Sequence, residues 1–248
     1  MSVALVMRAW WKDGIARQGF RPTLRTFLRE MWDFLRESTP ERRRRRYGDA
    51  EYDWDYRVDT TSATVSWRDR LLGVFHSAYQ ATEPGPFHEM VSGLKIDYQQ
   101  FVFIDLGSGK GRTLLMASNY PFRGILGVEL LPALNRVAEE NIRRYKSDAQ
   151  KCFAIESICG DAREFVFPPQ PAVVYLFNPF SEAALEHVTG NLERSLQGHP
   201  RPLYVLYYNP LLEHVFQRSK LLEKVGRTEL YAVYGNTSTL SRTEWPYV

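Results

Sequence analysis

Cysteine is scarce in this sequence: there are two, Cys152 and Cys159, seven residues apart in an apolar stretch. That spacing is not a metal-ligand pattern and offers no disulfide framework. Both are expected as buried, reduced thiols, and no metal site is expected. No apolar run approaches the roughly 20 residues needed to span a bilayer. Residues 2–7 are too short an apolar run for a secretory leader, and no basic region precedes them. A cytoplasmic protein is the expectation. There is no internal repeat, and the one low-complexity tract is a run of five arginines at 42–46. The formal net charge of +3 is too small to name a partner. Its distribution is uneven: residues 1–47 hold twelve Arg/Lys against five Asp/Glu, a net of +7, which leaves −4 for the remainder.

What is present centres on residues 101–118, FVFIDLGSGKGRTLLMAS. Residues 101–106 are a short apolar run, the length of a buried parallel strand. Asp105 stands near its end. Gly107, Gly109 and Gly111 follow on alternate residues, and a helical pattern starts at Thr113 and stops at Pro121. Strand, glycine loop and helix make a nucleotide-type binding turn. The glycines let the backbone turn tightly and approach a ligand closely. The helix start is expected to offer unpaired N–H groups to a negatively charged ligand group. The spacing is not the dinucleotide fingerprint G-x-G-x-x-G, because the third glycine comes one residue early and Arg112 takes the fingerprint's last glycine position. This argues against a nucleotide-dependent oxidoreductase.

Downstream, strands and helices alternate. Strands are expected at 124–129, 153–159, 172–177 and 203–208, with helices at 134–146, 181–196 and 211–220 between them. Residues 221–225 and 230–234 read as an antiparallel finish. Glu129 ends the second strand 24 residues after Asp105, where a carboxylate can accept hydrogen bonds from both ribose hydroxyls. Asp161-Ala162 follows the third strand, where the aspartate could equally cap a turn. Asn178-Pro179-Phe180 follows the fourth strand and Asn209-Pro210 the fifth. Ligands bind at the carboxyl ends of strands in open α/β sheets, so the first triplet should face the same crevice as Asp105. The alternation predicts a doubly wound sheet.

Upstream, apolar residues at 24, 27, 28, 31, 32 and 35 have helical spacing, with Arg25, Arg29, Asp33 and Arg36 off that stripe. The helix either packs on the main domain or lies, as a basic amphipathic helix, on a membrane or partner. The arginine run is a solvated loop or a phosphate contact; without a nucleic-acid fold signature, nucleic acid is the less favoured partner. Residues 48–59 are acidic. Residues 67–79 and 87–94 read as helices. The expected organisation is a helical extension, residues 1–62, and a domain, residues 63–248.

Asp105-x-Gly107-x-Gly109-x-Gly111 resembles motif I of the class I S-adenosylmethionine (SAM) methyltransferases. Asn178-Pro179-Phe180 resembles motif IV of amino-methyltransferases, with one proline missing, and also the Asn-centred strand end of DOT1-like lysine methyltransferases. The pattern FIDLGSGKGR…GVE…DA…YLFNPF…YYNP is most similar to a bacterial group of SAM methyltransferases, over about residues 52–220. The resemblance implies a seven-stranded, mostly parallel, Rossmann-like sheet with SAM as cofactor. It assigns Asp105, Gly107, Ser108, Gly109, Gly111, Glu129, Asp161 and Ala162 to the cofactor. Asp161 would accept from the adenine amino group, with the Ala162 backbone at the ring edge. Asn178, Pro179 and Phe180 fall to catalysis, with Asn178 accepting from the target nitrogen and Phe180 packing on a planar acceptor. His76 and His88 are candidates to take a proton, or packing residues. The resemblance also makes Tyr79, Thr82 and Glu83, between the two helices at 67–79 and 87–94, candidates for a lid, with Tyr79 otherwise a packing residue. The implied activity is methyl transfer to a nitrogen or other nucleophile of a protein or small molecule. The alternative is a non-catalytic SAM-binding adaptor held to a partner or membrane by its basic N-terminal helix.

Overall fold

The computed structural model describes residues 3–37, 50–61, 81–178 and 180–236. The arginine run, the helix expected at 67–79 with His76 and Tyr79, and Pro179 lie outside the described residues. The chain divides into two compact units, residues 1–55 with 61–81, and residues 56–60 with 82–248.

The first unit holds α1 (Val3–Gln18), α2 (Phe20–Glu37) and most of α3 (Ala50–Tyr56). α2 follows from the helical apolar spacing. α1 was not expected, because its apolar residues (VALVM, AWW) fall in runs rather than on one stripe. α1 and α2 form a hairpin through Gly19, whose φ of +83° suits glycine. Their crossing is close: a Cβ on Gly14 would lie 2.7 Å from the Thr23 methyl. Trp11 packs edge-on against Phe20 and Phe27, at centroid distances of 6.1 and 5.5 Å.

The second unit is a doubly wound α/β domain. Its elements are α4 (Pro84–Gly93), β1 (Val102–Leu106), α5 (Arg112–Ala117), β2 (Gly124–Glu129), α6 (Pro132–Arg144), β3 (Ile155–Cys159), β4 (Ala172–Phe177), α7 (Glu182–Gly198), β5 (Leu203–Tyr208), α8 (Glu213–Gln217), β6 (Leu222–Arg227) and β7 (Tyr231–Asn236). The sheet has seven strands in the order β3-β2-β1-β4-β5-β7-β6. β1 to β5 run parallel, and β7 runs antiparallel between β5 and β6. The antiparallel finish was legible; the insertion of β7 against β5 was not.

Burial follows position in the sheet. β1, β4 and β5 are covered on both faces, so their sequences are nearly continuous apolar runs. β3 is an edge strand with no fully buried residue. That corrects the expectation for cysteine: Cys152 is buried, but Cys159, ending the edge strand, is exposed, and both are free. From β1 the connections lead to β2 and β3 on one side and to β4 and β5 on the other. The chain therefore reverses between β1 and β4, and the crevice beyond their carboxyl ends is the topological switch point. The doubly wound, mostly parallel seven-stranded sheet read from the sequence is the observed one.

Candidate functional site

The loop after β1 lies at that switch point. Gly107, Gly109 and Gly111 have φ of +90°, +55° and +82°, a region that costs a side chain roughly 1–2 kcal/mol. The alternate glycines are therefore dictated by the backbone. The loop is tied to β2: Gly107 N–H and Ser108 N–H both donate to the Val128 carbonyl, at 2.8 and 3.1 Å. Gly127, which the sequence reading did not single out, permits that approach. A Cβ there would lie 2.6 Å from Leu114 Cδ1 and 2.7 Å from Ser108 Oγ. The Ser108 hydroxyl is buried and has no hydrogen-bond partner among the described residues.

Two buried carboxylates flank the loop. Glu129 accepts from Gly109 N–H and from Leu131 N–H, both at 2.8 Å. Burial raises its pKa, against the pull of these backbone donors. Asp105, 2 % exposed, accepts from the Thr113 hydroxyl. Burial pushes Asp105 up to about 7; the Thr113 bond opposes the rise and the Glu129 charge adds to it. α5 starts at Arg112, after the loop, and within the loop the Gly109 N–H is already bonded to Glu129. Two carboxylates at one loop repel an anion and stabilise a cationic or hydroxyl-bearing ligand.

The loop's outward side is clamped by residues the sequence reading missed. Lys110, 2 % exposed, reaches Asp59 at 2.7 Å, and Arg112 Nε donates to the Thr60 hydroxyl at 2.6 Å. Asn141 on α6 accepts from Asp59 N–H and donates to the carbonyls of Asp59 and Lys110, at 2.8, 2.8 and 2.9 Å. Tyr56 packs on Tyr145 at 5.2 Å. Residues 56–60 thus cross the glycine loop as a strap, which is why they belong with the second unit. The only signal in the sequence was that the family resemblance, over about residues 52–220, takes in Asp59 and Thr60.

Asp161 follows β3. Its carboxylate accepts from Arg163 N–H at 2.9 Å and pairs with the Arg163 guanidinium at 2.5 Å, a turn-closing arrangement. Ala162 is buried in the main core. At the end of β4, Asn178 has φ +43°. Its side-chain oxygen accepts from the Tyr207 hydroxyl at 2.7 Å, and its amide donates to the Asn209 carbonyl. Tyr207 also accepts from Leu212 N–H at 3.2 Å, and burial lifts its pKa to about 12. Phe180 packs against the main core.

The upstream candidates separate. Thr82 is buried and shares a 2.8 Å hydrogen bond with the Tyr175 hydroxyl, and Tyr175 stands opposite Asp105 in the β1–β4 register. Glu83 is exposed just before α4. His88 shares a 3.0 Å hydrogen bond with Tyr120, which lies in the segment entering β2, and burial lowers its pKa. That places it toward the amino ends of the strands, with the aromatic cluster of Phe87, Tyr98, Tyr120 and Phe122. It is a packing residue, not a proton acceptor at the switch point. No group of His, Cys, Asp and Glu among the described residues could hold a metal ion.

No family model matches the chain, and no curated protein matches it. Solved structures do resemble it. An RNA methyltransferase from Salinibacter ruber, in complex with S-adenosyl-L-homocysteine, is 21 % identical with a TM-score of 0.43, over 62 % of this chain and 92 % of that one. A precorrin-6y C5,15-methyltransferase from Geobacter metallireducens is 16 % identical with a TM-score of 0.48, over 63 % of this chain and 90 % of that one. A predicted N6-adenine-specific DNA methylase from Listeria monocytogenes is 16 % identical with a TM-score of 0.46, over 63 % of this chain and 51 % of that one. At these identities and TM-scores the likeness adds no argument. The chain has a doubly wound, Rossmann-like α/β fold on the strength of its own strand order.

Proposed function

We propose that this chain is a SAM-dependent methyltransferase. One observation carries the reading: the G-x-G-x-G loop at the switch point spends its Gly109 N–H on Glu129. A pyrophosphate would need that donor and would meet two buried carboxylates. SAM carries a sulfonium, an amino group and two ribose hydroxyls, which suit these carboxylates, and its single carboxylate is a smaller anionic demand than a pyrophosphate. The unpartnered Ser108 hydroxyl and the three left-handed glycines also fit a ligand lying close against the loop.

Asp105 would hold the cationic end, Gly107–Gly109 would let the ligand approach, and Glu129 would accept from the ribose hydroxyls. Asp161 and Ala162 would meet the adenine edge, Asp161 by exchanging its Arg163 contact for the amino group. When bound, SAM supplies a methyl group already activated by the sulfonium. The protein's own task is then to hold a nucleophile in line and to exclude water, and such positioning supplies several kcal/mol. The Asn178 oxygen accepts one hydrogen bond, from Tyr207, and has a second lone pair for an N–H of the acceptor. Accepting that N–H orients the nitrogen lone pair and stabilises the positive charge that develops on methylation. Asn178 does not take a proton, so proton loss goes to water. The acceptor we favour is a nitrogen of a protein or small molecule.

Calorimetric titration with SAM and with NADH tests the cofactor. Saturable SAM binding that Asp105→Ala loses, with no NADH binding, is the expected result. A folded protein that binds no SAM overturns the reading. The alternative is a non-catalytic SAM-binding adaptor attached through its basic N-terminal helix, and turnover of a labelled methyl donor in cell extract separates the two.

A further inference from the structure

The first unit carries a surface that the proposed chemistry does not use. Along α2, Phe20, Leu24, Leu28 and Trp32 recur every fourth residue, and residues four apart are neighbours on a helix. Phe20, Leu28 and Trp32 are 56, 59 and 67 % exposed, well beyond an ordinary scatter of surface apolar groups on one short helix. Phe20 meets the edge of Trp11, but no ring contact among the described residues covers Trp32, and Leu28 stays exposed. Trp11 covers Phe27, and Thr23 is buried where its methyl faces Gly14. Beside this row runs a second one. Arg21, Arg25 and Arg29, each one position after an apolar member, are all exposed. In sequence, the five arginines at 42–46 follow the same helix.

Each row restricts the partner. A second copy of the hairpin would set one arginine row against another, which repels. A nucleic acid would use the arginines but leave Leu28 without a role, since base recognition calls for stacking aromatics. An anionic bilayer satisfies both rows: apolar side chains enter at the acyl boundary while the guanidinium groups stay at the phosphates. Tryptophan also favours that level. No helix among the described residues is long and apolar enough to cross a membrane.

We propose that α2 docks on an anionic phospholipid surface, with Leu28 and Trp32 entering the interface and Arg21, Arg25 and Arg29 meeting the headgroup phosphates. The full chain should co-sediment with phosphatidylcholine vesicles containing phosphatidylglycerol and stay in solution with phosphatidylcholine alone. High salt should release it. At about 1 kcal/mol per basic residue near the surface, the triple variant Arg21→Ala/Arg25→Ala/Arg29→Ala should bind about a hundredfold more weakly. Leu28→Asp with Trp32→Asp should cost more than tenfold. Circular dichroism confirms that each variant is folded. Arg143→Ala/Arg144→Ala, an exposed basic pair on α6, should bind vesicles like the parent.

Equal binding by parent and triple variant overturns the proposal, as does failure to bind anionic vesicles. Retained binding by the folded double variant also overturns it, since the apolar row would then contribute nothing. A duplex or single-stranded RNA that binds the parent while vesicles do not makes this a nucleic-acid surface. A dimer broken by Leu28→Asp, again without vesicle binding, makes it an interface between copies.

Discussion

Two strand ends meet at the switch point, and they solve the same backbone problem differently. After β1 the chain enters the left-handed region at Gly107, Gly109 and Gly111; after β4 and β5 it does so at Asn178 and Asn209. Glycine leaves space, and the groups that line that space are two buried carboxylates with raised pKa values. Asparagine fills its own space. The Asn178 side chain bonds to Tyr207 and to the Asn209 carbonyl, joining the two ends into one wall. The β1 end is therefore incompletely satisfied: it gains from a ligand that brings positive charge and hydroxyls. The β4 end is nearly complete, and has one amide lone pair to offer. On the proposed function, the cradle would hold the methyl donor while the wall positions the acceptor.

The largest effect should come from breaking the cradle. Glu129→Ala leaves Gly109 N–H and Leu131 N–H without their acceptor, at about 1–3 kcal/mol for each buried donor that water does not reach. Removing the proposed ribose contact as well should lower SAM affinity about a hundredfold, while thermal denaturation shows the lost stability. A variant that binds SAM like the parent would dissolve the distinction between the two ends.

The wall is tested by comparing its two asparagines. Asn178→Gly keeps the left-handed backbone and removes the amide, whereas Asn178→Ala would add strain. Turnover should fall about ten- to a hundredfold with SAM affinity unchanged. Asn209→Gly, at the same backbone conformation but contributing only its carbonyl to Asn178, should keep turnover within about twofold. Equal losses in both would make Asn178 a turn residue only.

The charge of the cradle predicts a pH dependence. Asp105 in the free protein titrates near 7, above the roughly 3.9 of an unfolded chain. The folded state therefore binds that proton more tightly, and Asp105 favours folding at low pH. This contribution is full below the unfolded value and is lost as pH rises through the folded one. A cationic ligand favours the carboxylate, so SAM affinity should rise by up to about tenfold per pH unit toward pH 7 and level off above it. Asp105→Asn should flatten the profile. A smaller effect belongs to the strap: Asp59→Ala removes the carboxylate from a Lys110 ammonium that is almost wholly buried, and should cost about 1–3 kcal/mol of stability.

The cradle was legible because its demands are local. Alternate glycines, a preceding apolar run and an acid ending the next strand are all short-range patterns, and they single out Asp105, Gly109 and Glu129 in the sequence. The strap was not, because Asp59 reaches Lys110 and Asn141 across 51 and 82 residues of sequence, and no periodicity records that. Gly127 was passed over for a related reason: its need for glycine comes from Leu114 and Ser108 on another segment. α1 escaped because its apolar residues do not follow one stripe, so its partner α2 supplied the packing that its sequence does not advertise. His88 was open between two roles, proton acceptor or packing residue, because residue type alone does not choose; its hydrogen bond to Tyr120 makes it the latter.

The smallest expected effect isolates how the wall acts. No hydrogen bond of Tyr207 among the described residues reaches the cradle. Its hydroxyl donates to the Asn178 oxygen and accepts from Leu212 N–H, and so holds the amide in place. Tyr207→Phe keeps the ring that packs on Phe216 at 5.7 Å and removes one hydroxyl. If Asn178 binds the acceptor, losing this donor loosens the amide without removing it. Turnover should then fall a few-fold, at about 0.5–1.5 kcal/mol for the lost bond, with SAM affinity unchanged. The freed lone pair also makes the Asn178 oxygen a better acceptor for water, so KM for the methyl acceptor should rise along with the fall in kcat. The double variant with Asn178→Gly separates this from a general loss of packing: once the amide is gone the hydroxyl has nothing to position, and the two effects on turnover should not add. Full additivity would place Tyr207 in the core alone and leave Asn178 held by its backbone and by Asn209.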